Sequence, residues 1–408
     1  MGGTKHLTSL PNHAIINEDP ASQVSMIFTS RGDIVMKIYL IGQSDAVDTL
    51  SCKNADIIKL DNSAVSSIDH RNKTITLTSG ETAAYDMLIL DTSVSASAGE
   101  AVIPTAEDIA RVKGLGFLRD KTTADCFNAR VLTRNGKITA AESAVIAEAA
   151  VRFGSGEIAM TTRQTIEIQR IPYVNIEPLR EFLGRYGLET GGTGPKVRPV
   201  VSCKGTTCVF GLIDTYGVSE AIHNRFYTGY HGVKLPHKFK IGVGGCPNNC
   251  VKPDLNDVGI VGQNMPAADM DKCRGCANCQ IEKTCPMKAA AVVEGKIVID
   301  TELCNNCGRC IGKCPFKAFE NAVNGYRIYI GGRWGKKAAR GQALFKLFTD
   351  TEDLLNTVEK TILLFREQGI AGERFADTIQ RIGFAEVEKE LLSDDILSRK
   401  DAILHDEK

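Results

Sequence analysis

Cysteine is the residue type that most constrains what this chain can fold into. Of its 14 cysteines, 12 lie between Cys203 and Cys314 in a chain of 408 residues. Scaffolds held together by disulfides are typically small secreted domains that are dense in cysteine throughout. The clustering therefore argues against such a scaffold, and it predicts metal or redox chemistry in the second half of the chain.

Two cysteine runs form the densest part of this region. The second run is Cys304-x2-Cys307-x2-Cys310-x3-Cys314-Pro315, the spacing with which bacterial ferredoxins hold two 4Fe–4S clusters, the fourth cysteine serving the neighbouring cluster. The first run, from Cys273 to Pro286, has two additional residues before its last cysteine. A pair of zinc sites is the alternative interpretation, but it accounts less well for two runs that each end in Cys-Pro. The predicted ligand sets are Cys273, Cys276, Cys279 and Cys314 for one cluster, and Cys285, Cys304, Cys307 and Cys310 for the other.

A second cysteine set precedes these runs and has its own cationic neighbours. Two pairs, Cys203 with Cys208 and Cys246 with Cys250, have the composition of a four-thiolate site for iron–sulfur or zinc. A neutral protein that places many cations near one site is expected to bind a dense anion there. A single lysine or arginine of such a group, considered alone, is better interpreted as an ordinary surface charge. The candidate anion-binding residues are Arg130, Arg163, Arg198, Lys238 and Lys240.

The chain before these motifs has a mixed α+β pattern. Residues 1–35 are interpreted as a tail, and residues 36–105 as a β-rich region with strands at Met36–Ile41, Thr74–Leu77 and Met87–Leu90. The stretch from Ala64 to Ser93, which ends in Tyr85–Thr92, resembles part of the pyridine-nucleotide flavoprotein reductases. Gly42 stands where the phosphate loop of those proteins needs several glycines, so the region is interpreted as degenerate.

From Gly114 onwards the pattern becomes β-α-β. A strand over 127–133 precedes a helix with a Thr139/Glu142 capping box, and a second strand is expected over 157–169. Lys238 and Lys240 are placed on one face of a strand that leads to Cys246. Near the C-terminus, Leu354, Val358, Ile362 and Phe365 form an apolar stripe that ends at Gly369. Because a strand pattern resumes at Gly325, the cysteine runs at 268–319 are expected to be inserted within a larger domain.

These motifs together resemble the siroheme-dependent sulfite and nitrite reductases. The segments that carry the resemblance are Thr161-Thr162-Arg163-Gln164, the paired cysteines and Leu235-Pro236-His237-Lys238-Phe239-Lys240. The inserted cysteine block is similar to the dissimilatory and anaerobic branch, which includes the C subunit of anaerobic sulfite reductase. The resemblance implies an α+β fold with a ferredoxin-like half-domain at 114–190, a siroheme and 4Fe–4S domain at 195–264 and 322–390, and an inserted ferredoxin domain with two 4Fe–4S clusters at 268–319.

The resemblance also implies cofactors and residue roles. Cys203, Cys208, Cys246 and Cys250 would hold a third 4Fe–4S cluster, and the sulfur of Cys250 would bridge to the siroheme iron. Arg163 would pair with carboxylates of the macrocycle. Arg130, Arg198, Lys238 and Lys240 would surround the open iron position and hold the oxyanion. The chain departs from the family in the four-residue spacing between Cys203 and Cys208, and in Leu132, where many relatives have a second arginine.

The expected function is the six-electron reduction of sulfite to sulfide, with electrons arriving through the ferredoxin domain. Nitrite reduction to ammonia and a non-catalytic iron–sulfur electron-transfer subunit are the alternatives. With one copy of a module that assimilatory members contain twice, the chain is expected to form a homodimer or to pair with a homologous chain. Flavin or iron–sulfur subunits, or ferredoxin, would donate electrons.

Charge and hydropathy indicate where the protein works. Lys plus Arg and Asp plus Glu are both 49, which argues against nucleic acid or an anionic membrane surface as the main partner. No apolar run approaches the roughly 20 residues that span a bilayer. Since Met1–Thr8 also lacks the apolar region of a secretory signal, the expected location is the reducing cytoplasm.

Overall fold

A computed structural model describes residues 103–405 continuously and, before them, the stretches 13–16, 36–41, 55–60, 65–69, 74–85 and 87–91. The chain divides into two units, Met1–Val102 and Ile103–Lys408.

The described part of the first unit forms two sheets. One sheet is parallel with the order β1-β7-β2-β3, and the other is antiparallel with the order β4-β5-β6. Ile75 and Tyr85 are buried in a small core. The strands are β1 His13–Ile16, β2 Met36–Ile41, β3 Ala55–Leu60, β4 Val65–Asp69, β5 Thr74–Leu77, β6 Thr82–Ala84 and β7 Met87–Asp91.

The three strands expected in this unit are confirmed, whereas the interpretation of 1–35 as a tail is wrong for four of its residues. His13–Ile16 pairs in parallel with β7. The partner strand lies far along the chain, so the residues of this short segment do not by themselves indicate the pairing. Gly42, the residue that indicates a degenerate phosphate loop, lies outside the described residues.

A four-stranded antiparallel sheet with the order β10-β11-β9-β8 begins the second unit. Helices α2 and α3 contribute Ile146, Leu179 and Leu183 to a core shared with Phe127 and Ile168 of the sheet. The capping box of Thr139 and Glu142 is present at the start of α2. The elements are α1 Ala106–Gly114, β8 Phe117–Arg119, β9 Cys126–Val131, α2 Ala140–Phe153, β10 Ile158–Met160, β11 Ile166–Pro172, a 3₁₀ turn at Tyr173–Asn175 and α3 Ile176–Gly184.

The single strand expected over 157–169 is wrong in one respect that matters for the site. Two strands, β10 and β11, pair antiparallel here, with Met160 opposite Ile166. The segment between them turns back because Thr165 N–H bonds to Thr161 Oγ1 and the N–H of Thr161 bonds to the carbonyl of Thr165. Arg163 therefore lies at the tip of a hairpin.

A five-stranded mixed sheet with the order β12-β13-β14-β17-β18 forms the centre of the remainder. Strands β12, β13 and β14 are parallel, and β17 and β18 run antiparallel to their neighbours. Its strands and the helices before the insertion are β12 Val201–Ser202, a 3₁₀ turn at Gly205–Thr207, α4 Thr215–Ile222, a π-helix at His223–Thr228, β13 Ile241–Gly244, a 3₁₀ turn at Pro253–Leu255, β14 Val258–Ala267, β17 Asn321–Ile330 and β18 Gln342–Phe348.

The cysteine-rich block connects two adjacent strands of this sheet. Strands β14 and β17 pair over their full length, from Val258 opposite Ile330 to Ala267 opposite Asn321, so the block leaves and re-enters at the end of one hairpin. Its own core contains Ile281, Ile297 and Phe319. The block contains helix α5 Gln280–Thr284 and the strand pair β15 Ala290–Val293 and β16 Lys296–Ile299.

The C-terminal helices cover one side of the five-stranded sheet. All four residues of the expected stripe, Leu354 to Phe365, are fully buried on α6, which ends before Gly369 as expected. The domain extends beyond the expected boundary at 390, because Ile396 and Ile403 are buried in the same core. The helices are α6 Thr351–Gln368, α7 Phe375–Ile382, α8 Phe384–Leu392, α9 Asp395–Ser398 and α10 Lys400–His405. None of the helices that the structure describes is long and apolar enough to cross a membrane.

Three rings join this helical layer to the segment that carries the candidate lysines. Phe365 lies 5.8 Å from Phe239 and 5.4 Å from Phe375, measured between ring centroids. We expect Phe365→Ala to lower the free energy of unfolding by about 3–5 kcal/mol, because it removes a fully buried ring and leaves a cavity. Phe345, which is 88% exposed, provides the control: Phe345→Ala should stay within about 0.5 kcal/mol. Urea unfolding measures both, and equal losses would contradict this account of the core.

Candidate metal centres and anion site

The Cys203 and Cys246 loops leave the large sheet at the same edge. Cys203 directly follows β12 and Cys246 comes two residues after β13, and these strands are parallel neighbours whose carboxyl ends meet at one edge. The N–H of Cys203 donates to the carbonyl of Val243 at 3.1 Å. The N–H of Gly245 donates to the Sγ of Cys203, also at 3.1 Å.

Close backbone packing brings the two cysteine loops together. A Cβ on Gly205 would lie 2.8 Å from the Cα of Gly245, so only glycine permits this approach. Burial is the largest influence on the pKa of Cys246 and raises it, and the thiols of Cys203, Cys208 and Cys250 raise it further. The four cysteines of this set therefore lie close enough to interact electrostatically.

The two runs of the inserted block surround two separate cavities. With the open space at their mouths included, one spans about 370 Å³ and the other about 280 Å³. Across the described residues, no three His, Cys, Asp or Glu side chains lie close enough together to hold a single metal ion. The larger cavity is lined by Cys285, Cys304, Cys307 and Cys310, and the smaller by Cys273, Cys276, Cys279 and Cys314.

Backbone N–H groups donate to sulfur in both cavities. Ala289 N–H lies 3.3 Å from the Sγ of Cys285, and Ile297 N–H lies 3.4 Å from the Sγ of Cys273. Burial raises the pKa of Cys273, but the N–H groups of Gly275 and Ile297 together with the Lys296 charge lower it below the ordinary value. Such donors favour the thiolate, which is the form that binds metal.

Arg163 reaches from the hairpin tip to the amino ends of the parallel strands. Its Nη1 donates to Asn256 Oδ1 at 2.7 Å, and its Nη2 donates to the carbonyls of Pro199 and, at 3.2 Å, Ile241. Burial lowers the pKa of Arg163 to about 10. Much of this guanidinium is therefore engaged by the protein itself.

Arg198 and Arg130 lie near each other on different elements. Arg198 donates from Nη1 to the carbonyl of Gly192 at 2.5 Å. Burial lowers the pKa of Arg198 to about 10, with the Arg130 charge as the next cause. Across β9 and β11, Arg130 faces Glu167 with 3.6 Å between Nε and Oε2, so its charge is partly neutralised.

Lys238 and Lys240 lie just before β13, and the expectation of a strand through them is wrong in its boundary. The strand proper begins at Ile241, and between the two lysines Phe239 makes an isolated parallel bridge with Val197. The side chain of Phe239 is buried. Burial, reinforced by neighbouring cations, lowers the pKa of Lys238, and lowers that of Lys240 to about 8.

Sequence reasoning missed two charged residues of this cluster. Asp257 is fully buried, and both of its carboxylate oxygens lie 3.0 Å from Nη2 of Arg374. The positive charge of Arg374 also lowers the pKa values of Lys238, Lys240 and Arg198. No local motif surrounds Arg374, so only its position in the fold reveals it.

Four arginines in this region have a buried Nε atom that makes no hydrogen bond. The Nε atoms of Arg130, Arg163, Arg198 and Arg374 make no hydrogen bond in the part of the chain that the structure describes, although that of Arg130 lies in the longer ion pair with Glu167. Buried donors are normally satisfied. Unused cationic donors beside half-buried lysines have the chemistry needed to hold a ligand with several anionic oxygens.

Comparison with known proteins identifies the family. The family model "Nitrite and sulphite reductase 4Fe-4S domain" matches residues 193–397, and "Nitrite/Sulfite reductase ferredoxin-like half domain" matches residues 119–186. The chain belongs to the nitrite and sulphite reductase family. Its members are oxidoreductases, and the two matches coincide with the five-stranded and four-stranded sheets of the second unit.

Relatives in this family are named as sulfite reductases. The coenzyme F420-dependent sulfite reductase of Methanocaldococcus jannaschii is 32% identical over 59% of this chain and 39% of that protein. The C subunit of anaerobic sulfite reductase from Salmonella typhimurium is 29% identical over 56% of this chain and 71% of that protein. This chain therefore spans well under half of the first relative.

A solved structure shares the fold of this family member. Dissimilatory sulfite reductase I superposes with a TM-score of 0.53 over 65% of this chain and 69% of its own, at 21% identity. At that identity the likeness establishes the fold alone.

Proposed function

We propose that this chain reduces sulfite to sulfide, binding the anion with Arg130, Arg198, Lys238 and Lys240. The observation that carries this proposal is the charge of the cluster. Arg163, Arg198, Lys238, Lys240 and Arg374 interact with one another, and among the described residues one fully buried carboxylate, that of Asp257, opposes them. Holding so many cations together in a partly buried site is costly unless an anion occupies it.

The residues present fit a siroheme group. The macrocycle carries several carboxylates, and the guanidinium groups of Arg163 and Arg198, whose Nε donors make no hydrogen bond, have the charge to bind them. Strand β13, four residues long, separates Lys240 from the Cys246 loop by roughly 13 Å at the usual rise per residue. The lysines at one end of this strand and the thiols of Cys203, Cys208, Cys246 and Cys250 at the other would therefore hold the cofactor. Siroheme and a 4Fe–4S cluster would supply the electron chemistry there, with Cys203, Cys208, Cys246 and Cys250 holding the cluster and Cys250 also serving the siroheme.

We further propose that the inserted block holds two 4Fe–4S clusters and delivers electrons. The larger of its cysteine cavities adjoins the rest of the domain. Cys307 forms a bridge with Asn264 of β14, and the Arg309 guanidinium lies 5.3 Å from the Phe210 ring, two residues beyond Cys208. These contacts support a path from Cys273, Cys276, Cys279 and Cys314 through the larger cavity to the Cys203 set.

The side chains around the anion do the electrostatic and proton chemistry. Each oxygen of sulfite leaves as water after taking up two protons, so donors must stand close to it. Lys240, with a pKa near 8, gives up a proton more readily than an ordinary lysine, and its charge stabilises the departing oxygen. Arg198 stays protonated at neutral pH and orients the anion.

Pairing with a second chain forms part of this proposal. Relatives are named as subunits of dissimilatory and anaerobic sulfite reductases. A homodimer, or a pair with a homologous subunit, would supply the second copy of the module, and a flavin or iron–sulfur subunit or ferredoxin would donate electrons.

A spectroscopic and kinetic experiment tests the function. Protein produced anaerobically in a host that makes siroheme should show siroheme absorbance, and with reduced methyl viologen it should convert sulfite to sulfide. Nitrite, assayed in parallel, should be turned over with a lower kcat/KM. Siroheme without turnover of either anion would favour an electron-transfer subunit, and a higher kcat/KM for nitrite would overturn the sulfite assignment.

A further inference from the structure

Asp257 is the buried acid within the cation cluster, and two groups hydrogen-bond its carboxylate. Nη2 of Arg374 lies 3.0 Å from both carboxylate oxygens, and the N–H of Lys240 donates to Oδ2 at 2.8 Å. Both side chains are withdrawn from solvent, since that of Asp257 is 0% and that of Arg374 10% exposed. The pair is thus a buried ion pair inside the anion site and not a surface contact.

The Asp257 carboxylate also affects the pKa values of the candidate anion-binding residues. Its charge raises the pKa values of Lys238, Lys240 and Arg163, against the larger effect of burial. Without Arg374, the buried Asp257 carboxylate would lose its guanidinium partner and would still lie beside these cations. The nearest ammonium groups would then pair with it, and they would no longer be available to a bound oxyanion.

We propose that Arg374 is a positioning residue for anion binding, which holds the Asp257 carboxylate and so leaves Lys238 and Lys240 free for the oxyanion. The inference rests on the proposed function, because it concerns the anion that the same cations bind. The segment before α7 would then contribute to substrate affinity, although it lies more than a hundred residues along the chain from the lysines.

The experiment compares an anionic and a neutral ligand of the reduced holoenzyme. Sulfite needs the cations, whereas carbon monoxide, which binds ferrous haem, carries no charge. We expect Arg374→Gln to raise the Kd for sulfite at least about tenfold, as for loss of a charge-assisted interaction. The Kd for carbon monoxide should stay within about twofold, and Arg374→Lys, which keeps the charge, should recover much of the sulfite affinity.

The direction in which the Kd for sulfite changes separates a positioning role of Arg374 from a general structural role. Asp257→Asn removes the competing anion while retaining an acceptor for Lys240 N–H, so the Kd for sulfite should fall. In the double variant Arg374→Gln/Asp257→Asn the stranded charge is absent, and the Kd should return close to that of the wild type. A Kd that rises in Asp257→Asn, or a double variant no better than Arg374→Gln, would overturn the inference.

Arg225 provides the matched control. Its Nη2 lies 2.5 Å from Oε2 of Glu359, another carboxylate that is nearly fully buried, so Arg225→Gln also breaks a buried arginine–carboxylate pair. We expect it to lower stability without changing the sulfite Kd, and an equal rise in Kd would overturn the inference. If Arg374→Gln fails to retain siroheme, the direction of the change in sulfite Kd in Asp257→Asn tests the inference instead. Wild-type protein that binds neither ligand would refute the proposed function instead.

Discussion

Replacement of Lys240 by methionine is expected to lower kcat/KM for sulfite by roughly 100-fold to 1,000-fold, the usual effect of losing one electrostatic or proton-donating group. Methionine keeps much of the length and the apolar stem, so the loss comes from the ammonium group. The chain places this ammonium among Arg163, Arg374, Lys238 and Asp257, in a half-buried setting. Reduced-viologen assays at several sulfite concentrations measure the change.

Lys234 supplies the control for this substitution. It precedes the same segment and is exposed, so Lys234→Met should leave kcat/KM within about twofold, as for surface changes away from a site. Siroheme absorbance should be unchanged in both variants. Near-normal sulfite reduction by Lys240→Met with full siroheme content would show that another group does this work.

The pH dependence of the wild-type enzyme should reflect the same lysine. Burial and neighbouring cations lower the pKa of Lys240 to about 8, so the cationic form that binds the anion is present below that pH and is lost above it. The plot of kcat/KM against pH, which reports the free enzyme, should fall on its alkaline side near pH 8. Lys240→Arg should move this fall to higher pH, because arginine stays protonated. An unchanged alkaline limb in Lys240→Arg would assign it to a different group.

Loss of Cys246 is expected to abolish sulfite reduction and to remove siroheme absorbance. If the Cys203 set holds one 4Fe–4S cluster bridged to siroheme, Cys246→Ser loses both groups together. Iron should then fall from about thirteen to about eight atoms per chain, given four irons in each cluster. Metal analysis, acid-labile sulfide and the absorbance spectrum measure these quantities on the same sample.

Two other cysteine substitutions determine what this result means. Cys310→Ser, in the larger cavity of the inserted block, should lose cluster iron but retain siroheme, and should impair reduction driven by ferredoxin more than reduction driven by viologen. Cys126→Ser, on β9 outside every cysteine set, should behave as the wild type. Siroheme retained by Cys246→Ser, or lost by Cys310→Ser, would contradict the assignment of the two ligand sets.

Local patterns were sufficient to predict much of the second unit. The capping box at Thr139 and the apolar stripe on α6 are confirmed. Both could be predicted because each depends on residues only a few positions apart. The cysteine sets follow the same logic. Each run brings three cysteines together within a short loop, and the ferredoxin spacing assigned the fourth to the other run. The same groupings line the two cavities, and their role as metal ligands stays a prediction.

Longer-range features escaped prediction for a physical reason. The strand expected over 157–169 is a hairpin, because hydrogen bonds between Thr161 and Thr165 turn the chain where residue propensity favours extension. The partner of His13–Ile16 is a strand far along the chain, and nothing in its four residues specifies that pairing. The burial of Ile396 and Ile403 likewise depends on α6 beneath them.

The amino-acid sequence by itself determined the candidate cysteine sets, the five candidate cations and the resemblance to a reductase family that comparison establishes. Only the tertiary structure decided how the charges are arranged. It brought Arg374 from the C-terminal segment to Asp257 beside Lys240, and it engaged Arg163 with Asn256. Ligand spacing is a property of covalent geometry and short loops, whereas the balance of buried charges depends on which distant segments pack together.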